Sequence, residues 1–212
     1  TITNDPNFLN TGTLQIGNDA SDSTTFSGGL RTNAVSGTTL GGTIADGGAN
    51  QLTFGGVTLA AATTLDSQGG NIALTSLAGG SQDLTIAAGT AAGTTTVTGN
   101  VSALGDGTGA ALTVDNAATG LVDFQGTFGA NSGLTAGAGT SLKFGQNVTL
   151  ADGDTVTNLA GAVTLDGLDW SSFDGITFGA ATLSTAAVSL DSNGGNIALT
   201  SLAGGSQDLT IA

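Results

Sequence analysis

Sixteen acidic residues, every one an aspartate, are the side chains through which this chain could do acid–base or metal chemistry. Cys, His, Met, Tyr and Glu are absent, and the only cations are Arg31 and Lys143. A Ser–His–Asp type nucleophile therefore lacks its base. Thiolate metal sites, cysteine nucleophiles and disulfides go with the missing cysteine. What remains is carboxylate oxygen on turns. Asp19 and Asp22 in GNDASDS, Asp106 in GDGTG, and Asp152 with Asp154 in ADGD place hard oxygen donors beside glycine, the donor type that calcium takes. None follows EF-hand spacing, and no nonapeptide calcium series repeats. Aspartate also favours turns by hydrogen-bonding its own backbone, which accounts for most of these positions without a metal. No motif requires a cofactor, and calcium is the one cation the turns would suit.

A second constellation is LDGLDWSSFDG, where Asp166, Asp169 and Asp174 surround Trp170. A glycosidase needs paired carboxylates with one held protonated, and an indole face can stack on a sugar ring. No histidine or cation lies near in sequence to tune such a carboxylate. The favoured expectation is thus an exposed corner loop whose Trp170 covers the core, with glycan binding as the rival and no enzymatic activity.

Composition narrows the partners. The formal net charge is −14, so nucleic acid, which needs clustered Lys and Arg, is excluded as an expected partner. No apolar run reaches the length of a membrane-spanning helix, and no membrane insertion by this segment is expected. Gly105-Asp-Gly107-Thr-Gly109 lacks the lysine and following helix of a phosphate loop. The hydrophobic fraction of 39% and mean hydropathy of +0.25 argue against disorder.

The elements that would carry these turns are short strands. Thr13-Leu-Gln-Ile16, Asn71-Ile-Ala-Leu74, Asp83-Leu-Thr-Ile86, Leu121-Val-Asp-Phe124 and Ser141-Leu-Lys-Phe144 each set two large apolar side chains two positions apart, the mark of a strand with one buried face. Such segments recur every ten to thirteen residues, separated by Gly-Gly, Asn-Gly and Asp-Gly. Superimposed on them is a long duplication. LDSQGGNIALTSLAGGSQDLTIA at 65–87 returns at 190–212, 125 positions on, with only Gln68 replaced by Asn193.

Literal repetition suits an architecture in which each unit stacks on its neighbours. The expected fold is all-β, a parallel β-helix (β-solenoid) built from tandem repeats of about 125 residues and forming one continuous segment over 1–212. Residues 1–87 would be a partial repeat and 88–212 a full one. With two or three strands per coil, 125 residues would make about five coils. The upstream copies differ by one residue between Phe54–Leu65 and Phe178–Leu190, which places corners at 60–63 and 184–187, where an insertion does not flip a strand. The stacking core is expected at Ile72, Leu74, Leu84 and Ile86 and at their copies Ile197, Leu199, Leu209 and Ile211.

The phrases Gly12-Thr-Leu-Gln-Ile-Gly-Asn18, Leu52-Thr-Phe-Gly-Gly-Val-Thr-Leu59, Gly70-Asn-Ile-Ala-Leu74 and Asp83-Leu-Thr-Ile86 resemble the repeats of filamentous-haemagglutinin-like and autotransporter-like bacterial adhesins. That resemblance implies a right-handed helix in a large secreted or surface-displayed bacterial protein, hence an extracellular location. The function it implies is a structural shaft in cell adhesion, with continuation of the same chain or self-association, end to end or lateral, as its partners and host or matrix glycans as ligands. A self-assembling filament or surface-layer subunit is the main alternative. Ice binding is a further one, disfavoured because outward positions along the sequence vary among Ala, Thr, Ser, Asp, Lys and Gln rather than repeating Thr.

Overall fold

A computed structural model describes residues 1–89, 91, 93–115, 117, 119–151 and 155–212. Among them there are twenty-three strands, from Thr13–Ile16 to Leu209–Ile211, and no helix. Every pairing between these strands is parallel and joins one coil to the next, as Leu142 to Val163 and Ile176 to Ile197. The chain is a parallel β-solenoid of about 9 turns, each of about 21 residues.

Each coil has three faces, which follow from the registers. Face I runs from Thr13–Ile16 through 37–40, 56–58, 76–78, Val101–Leu104, Phe128–Ala130, Val148–Leu150, Asp169–Ser171 and Val188–Asp191 to Leu209–Ile211. Face II begins at Ser23–Phe26 and continues through 43–46, 63–65, Leu84–Ile86, Leu112–Val114, Leu134–Ala136, 157–159 and 176–178 to 197–199. Face III runs from Leu30–Arg31 through Leu52–Thr53, Ile72–Leu74, Thr95–Val97, Leu121–Phe124, Ser141–Phe144, 162–165 and 180–182 to 201–203.

The strand triplets work because the side-chain period is two: the outer pair points in and the middle residue out. Leu84 and Ile86 are buried while Thr85 between them is half-exposed, and Leu112–Val114 repeats the pattern one coil on. Stacking brings like on like, so Leu84 sits beneath Leu112, and Leu112 beneath Leu134. One interior results, without a seam between residues 87 and 88.

The duplicated segments do not occupy the same face. Ile72 and Leu74 lie on face III, Leu77 on face I, and Leu84 and Ile86 on face II. Their copies Ile197 and Leu199 lie on face II, Leu202 on face III, and Leu209 and Ile211 on face I. Stepping from strand segment to strand segment, 125 residues span seventeen segments, one short of six full coils. The expectation of about five coils is therefore corrected to five and two-thirds. Variable corner lengths cause the fraction, since Val101 and Phe128 are 27 positions apart but Val163 and Ala181 only 18.

The core expectation divides in the same way. Ile72, Leu74, Leu84 and Ile86 are all 3% exposed or less. Ile197, Leu199 and Leu209 are only partly buried, and Ile211 is 58% exposed. Among the described residues, the second copy is stacked on the preceding coil alone. The corner at 184–187 is present, separating Ile176–Leu183 from Val188–Asp191, whereas 60–63 lies within the single strand Gly56–Asp66, which passes from one face to the next through a register shift that Ala60 to Ala62 absorb.

Candidate functional site

The acidic turns organise themselves. The Asp19 carboxylate accepts the Ser21 backbone N–H at 3.0 Å and its hydroxyl at 2.8 Å, and these bonds hold its pKa below the ordinary value. Asp22 accepts the backbone N–H groups of Asn18 and Asp19 at 2.9 and 3.1 Å. Asp106 accepts the Thr108 N–H at 2.7 Å. Each of these is a turn former that accepts local N–H donors, and Asp19 and Asp22 share a loop far along the chain from Asp106. Asp152 and Asp154 lie outside the described residues. Among the described residues no three acidic side chains converge in a way that could hold a metal ion.

Trp170 is not on a corner. It occupies the middle of Asp169–Ser171 on face I with its side chain turned inward, 1% exposed. Its ring meets Phe144 and Phe178 edge to face, both with centroids 5.0 Å away, and Phe144 continues the stack to Phe124 and Phe128. The expected corner loop is thereby corrected to a strand, with Trp170 inside the core instead of covering it from a turn. The strand alternation around Trp170 explains it: Asp169 and Ser171 are exposed, so the residue between them must point in. Its indole N–H finds no acceptor there. Of the aspartates around it, Asp166 instead turns to the surface and bonds the Thr185 hydroxyl and the Lys143 ammonium, the latter at 3.0 Å. The Thr185 bond first and the Lys143 bond second hold the Asp166 carboxyl below its usual range, and the same contact raises Lys143.

Two carboxylates, Asp83 and Asp123, each have one oxygen buried without a partner, and Asp83 stands at the corner entering Leu84–Ile86. Desolvation, reinforced by Asp106, raises the pKa of Asp83, and a backbone N–H bond from Asp106 offsets part of this.

No family model, curated protein or solved structure matches the chain.

Two ordered arrays were not legible in the sequence. The first is a file of threonines. On face II, Thr43, Thr64, Thr85, Thr113 and Thr135 are outward partners in five successive coils, followed by Asn158 and Thr177. Face III mixes Arg31, Thr53, Ala73, Thr96, Asp123 and Lys143 at the equivalent positions. Outward residues do vary along the chain, as expected, but on face II folding sets five threonines in consecutive register. The second array is a set of corner asparagines. The side-chain carbonyls of Asn71, Asn100 and Asn147 accept the backbone N–H groups of Thr94, Thr127 and Asp169 one coil further on, at 2.9, 3.1 and 3.0 Å. Each precedes a strand, where the ladder has no carbonyl to offer. A β-branched residue, Ile72, Val101 or Val148, follows each Asn and was the available signal.

A shallow groove of about 340 Å³ opens on face I where small residues, Gly37, Gly56 and Ser76, follow one another in register. Its polar lining is hydroxyl and amide, from Ser36, Thr58, Ser76, Asn100 and Ser102, with no charge.

Proposed function

We propose that this chain is a non-enzymatic structural segment, a β-solenoid shaft of a large bacterial cell-surface adhesin or extracellular filament. One observation carries the reading. The same 23-residue segment, with one substitution, is accommodated in two placements turned by one face, with the Ser67–Gly70 turn reproduced at Ser192–Gly195. A sequence tied to a site would be tied to one face, whereas a sequence adapted to stacking is interchangeable among faces. In this reading the winding is right-handed, the 125-residue unit recurs in tandem, and divalent cations such as calcium act diffusely, neutralising an acidic rod. Continuation of the same chain or association with further copies supplies the neighbours of its coils.

The full-length gene is the most direct test. Many tandem copies of the unit are expected, and a single short copy overturns the shaft. Electron microscopy of the purified segment should show rods lengthening by ~4.8 Å per coil, and a map with left-handed winding would remove the handedness.

The threonine file favours a second reading, in which face II orders water against ice. Thermal hysteresis that is lost on Thr113→Tyr would support it, and freezing behaviour indistinguishable from that of albumin would end it.

A further inference from the structure

The one difference between the duplicated segments, Gln68 against Asn193, has a chemical consequence. Asn193-Gly194 is the only Asn–Gly pair in the chain. Asn193 is exposed in a turn where its own φ is +46° and that of Gly194 +91°. Its backbone N–H is bound to Asp191 at 2.8 Å, but among the described residues its side-chain amide has no partner and the Gly194 N–H donates to nothing. The corner asparagines Asn71, Asn100 and Asn147, by contrast, are held by the next coil. No atom lies within 4 Å of where a Gly194 side chain would begin, so the peptide between the two residues can turn. Gln68 is exposed at the same position in a coil covered on both sides, so this exposure belongs to the turn.

We propose that Asn193 is a site of spontaneous deamidation, a self-modification needing only water. The Gly194 nitrogen gives up its proton and bonds to the side-chain carbonyl carbon of Asn193. The carbon–nitrogen bond of the amide breaks, and the nitrogen leaves with a proton as ammonia. Water then opens the five-membered imide at either carbonyl, leaving aspartate or isoaspartate. The result is a new carboxylate beside Asp191 and, in the isoaspartyl product, one extra backbone carbon at a corner, where added length is tolerated. Gln68 does not follow this course. Its side chain is one methylene longer, its amide is bound to Asp66 at 2.6 Å, and Gly69 packs against Ala91. The two turns thus diverge with time, and this holds whether or not the chain is a shaft.

The test is to hold the folded 212-residue protein at neutral pH and warm temperature and follow ammonia release and isoaspartyl methyl-acceptor capacity, mapping the product with a protease that cuts at apolar residues. The modified peptide is expected to be the one carrying Asn193, to form faster as pH rises, and to vanish in Asn193→Gln, a residue the turn already accepts at 68. The folded rate should lie within about tenfold of the rate in urea, as for a segment that opens locally. Conversion concentrated at Asn71, Asn100 or Asn147, or an Asn193 that converts only in urea, overturns the proposal.

Discussion

Residues 65–87 and 190–212 are nearly the same string in two settings. In the first, a coil lies on each side, and Ile72 is paired to both Leu52 and Thr95. In the second, Ile197 is paired to Ile176 alone. The turns survive the change: Ser67 and Ser192 both donate to the carbonyl three positions along the turn, at Gly70 and Gly195, at 2.6 Å, and Asp66 and Asp191 both accept the N–H two residues on. The segment after the strand does not. Ser76–Gln82 is a continuous strand with a bulge, whereas its copy leaves the strand at Ala203 and closes a turn through Gln207 N–H to Gly204. Turns are thus set by local hydrogen bonds, and the extended conformation of LAGGSQ by the coil stacked upon it.

That contrast can be broken most severely at a position where both copies meet the coil below. A Cβ on Gly70 would lie 1.7 Å from the Asn50 carbonyl oxygen, and one on Gly195 2.6 Å from the Gly175 nitrogen. Gly70→Ala should cost about 3 kcal/mol or more and Gly195→Ala a similar amount locally, as overpacking against backbone that cannot yield. Hydrogen exchange resolved along the chain is the measurement, because a solenoid need not unfold as one unit; tolerance at either site would contradict the stacking geometry.

Next in size is the core. Leu84→Ala should cost about 3 kcal/mol, the range for a buried leucine, and Leu209→Ala about 1 kcal/mol. Equal losses in urea titrations of the two variants would mean that the last coil is covered in solution. The neighbouring glycines sharpen the same point. Gly69 has φ +99° with Ala91 packed on it, and Gly194 has φ +91° with open space. Both alanine substitutions carry the left-handed penalty of about 1 kcal/mol, and Gly69→Ala should add a clash, so its thermal transition falls further.

The smallest effect is electrostatic. Asp83 has a coil above carrying Asp106, and Asp208, its copy, has none. The folded pKa of Asp83 is raised, so the cost is present in full above that value and is relieved as pH falls through it toward the ordinary carboxylate range. Asp83→Asn should therefore stabilise at neutral pH by about 0.5 kcal/mol or less for a partly exposed group, with the gain fading in acid. Asp166 runs the other way. Its lowered pKa contributes stability above the ordinary value that is lost as pH falls through the folded one, so Asp166→Asn should lose its effect in acid. Denaturation midpoints across an acid-to-neutral series distinguish the two signs.

Much of this was legible beforehand. Thr13–Ile16, Ile72–Leu74, Leu121–Phe124 and Ser141–Phe144 stand where the alternation put them. Strands such as Phe128–Ala130 and Asp169–Ser171 escaped, since each carries a single large apolar side chain and the period-two pattern needs two. Trp170 was placed on a corner for the same reason: the aspartates around it suggested a loop, whereas the exposure of Asp169 and Ser171 marks it as the inward residue of a strand.

Alternation, glycine-bearing turns and literal duplication determined an all-β stacked chain, because those signals act within a few residues. The face on which each copy lies is a different kind of fact. It depends on how many corners the chain has turned, and each corner's length is fixed by packing against the coil beneath. Only the tertiary structure could place Thr43, Thr64, Thr85, Thr113 and Thr135 in one file, bring Asn71 to the Thr94 N–H, and turn the second copy one face away from the first.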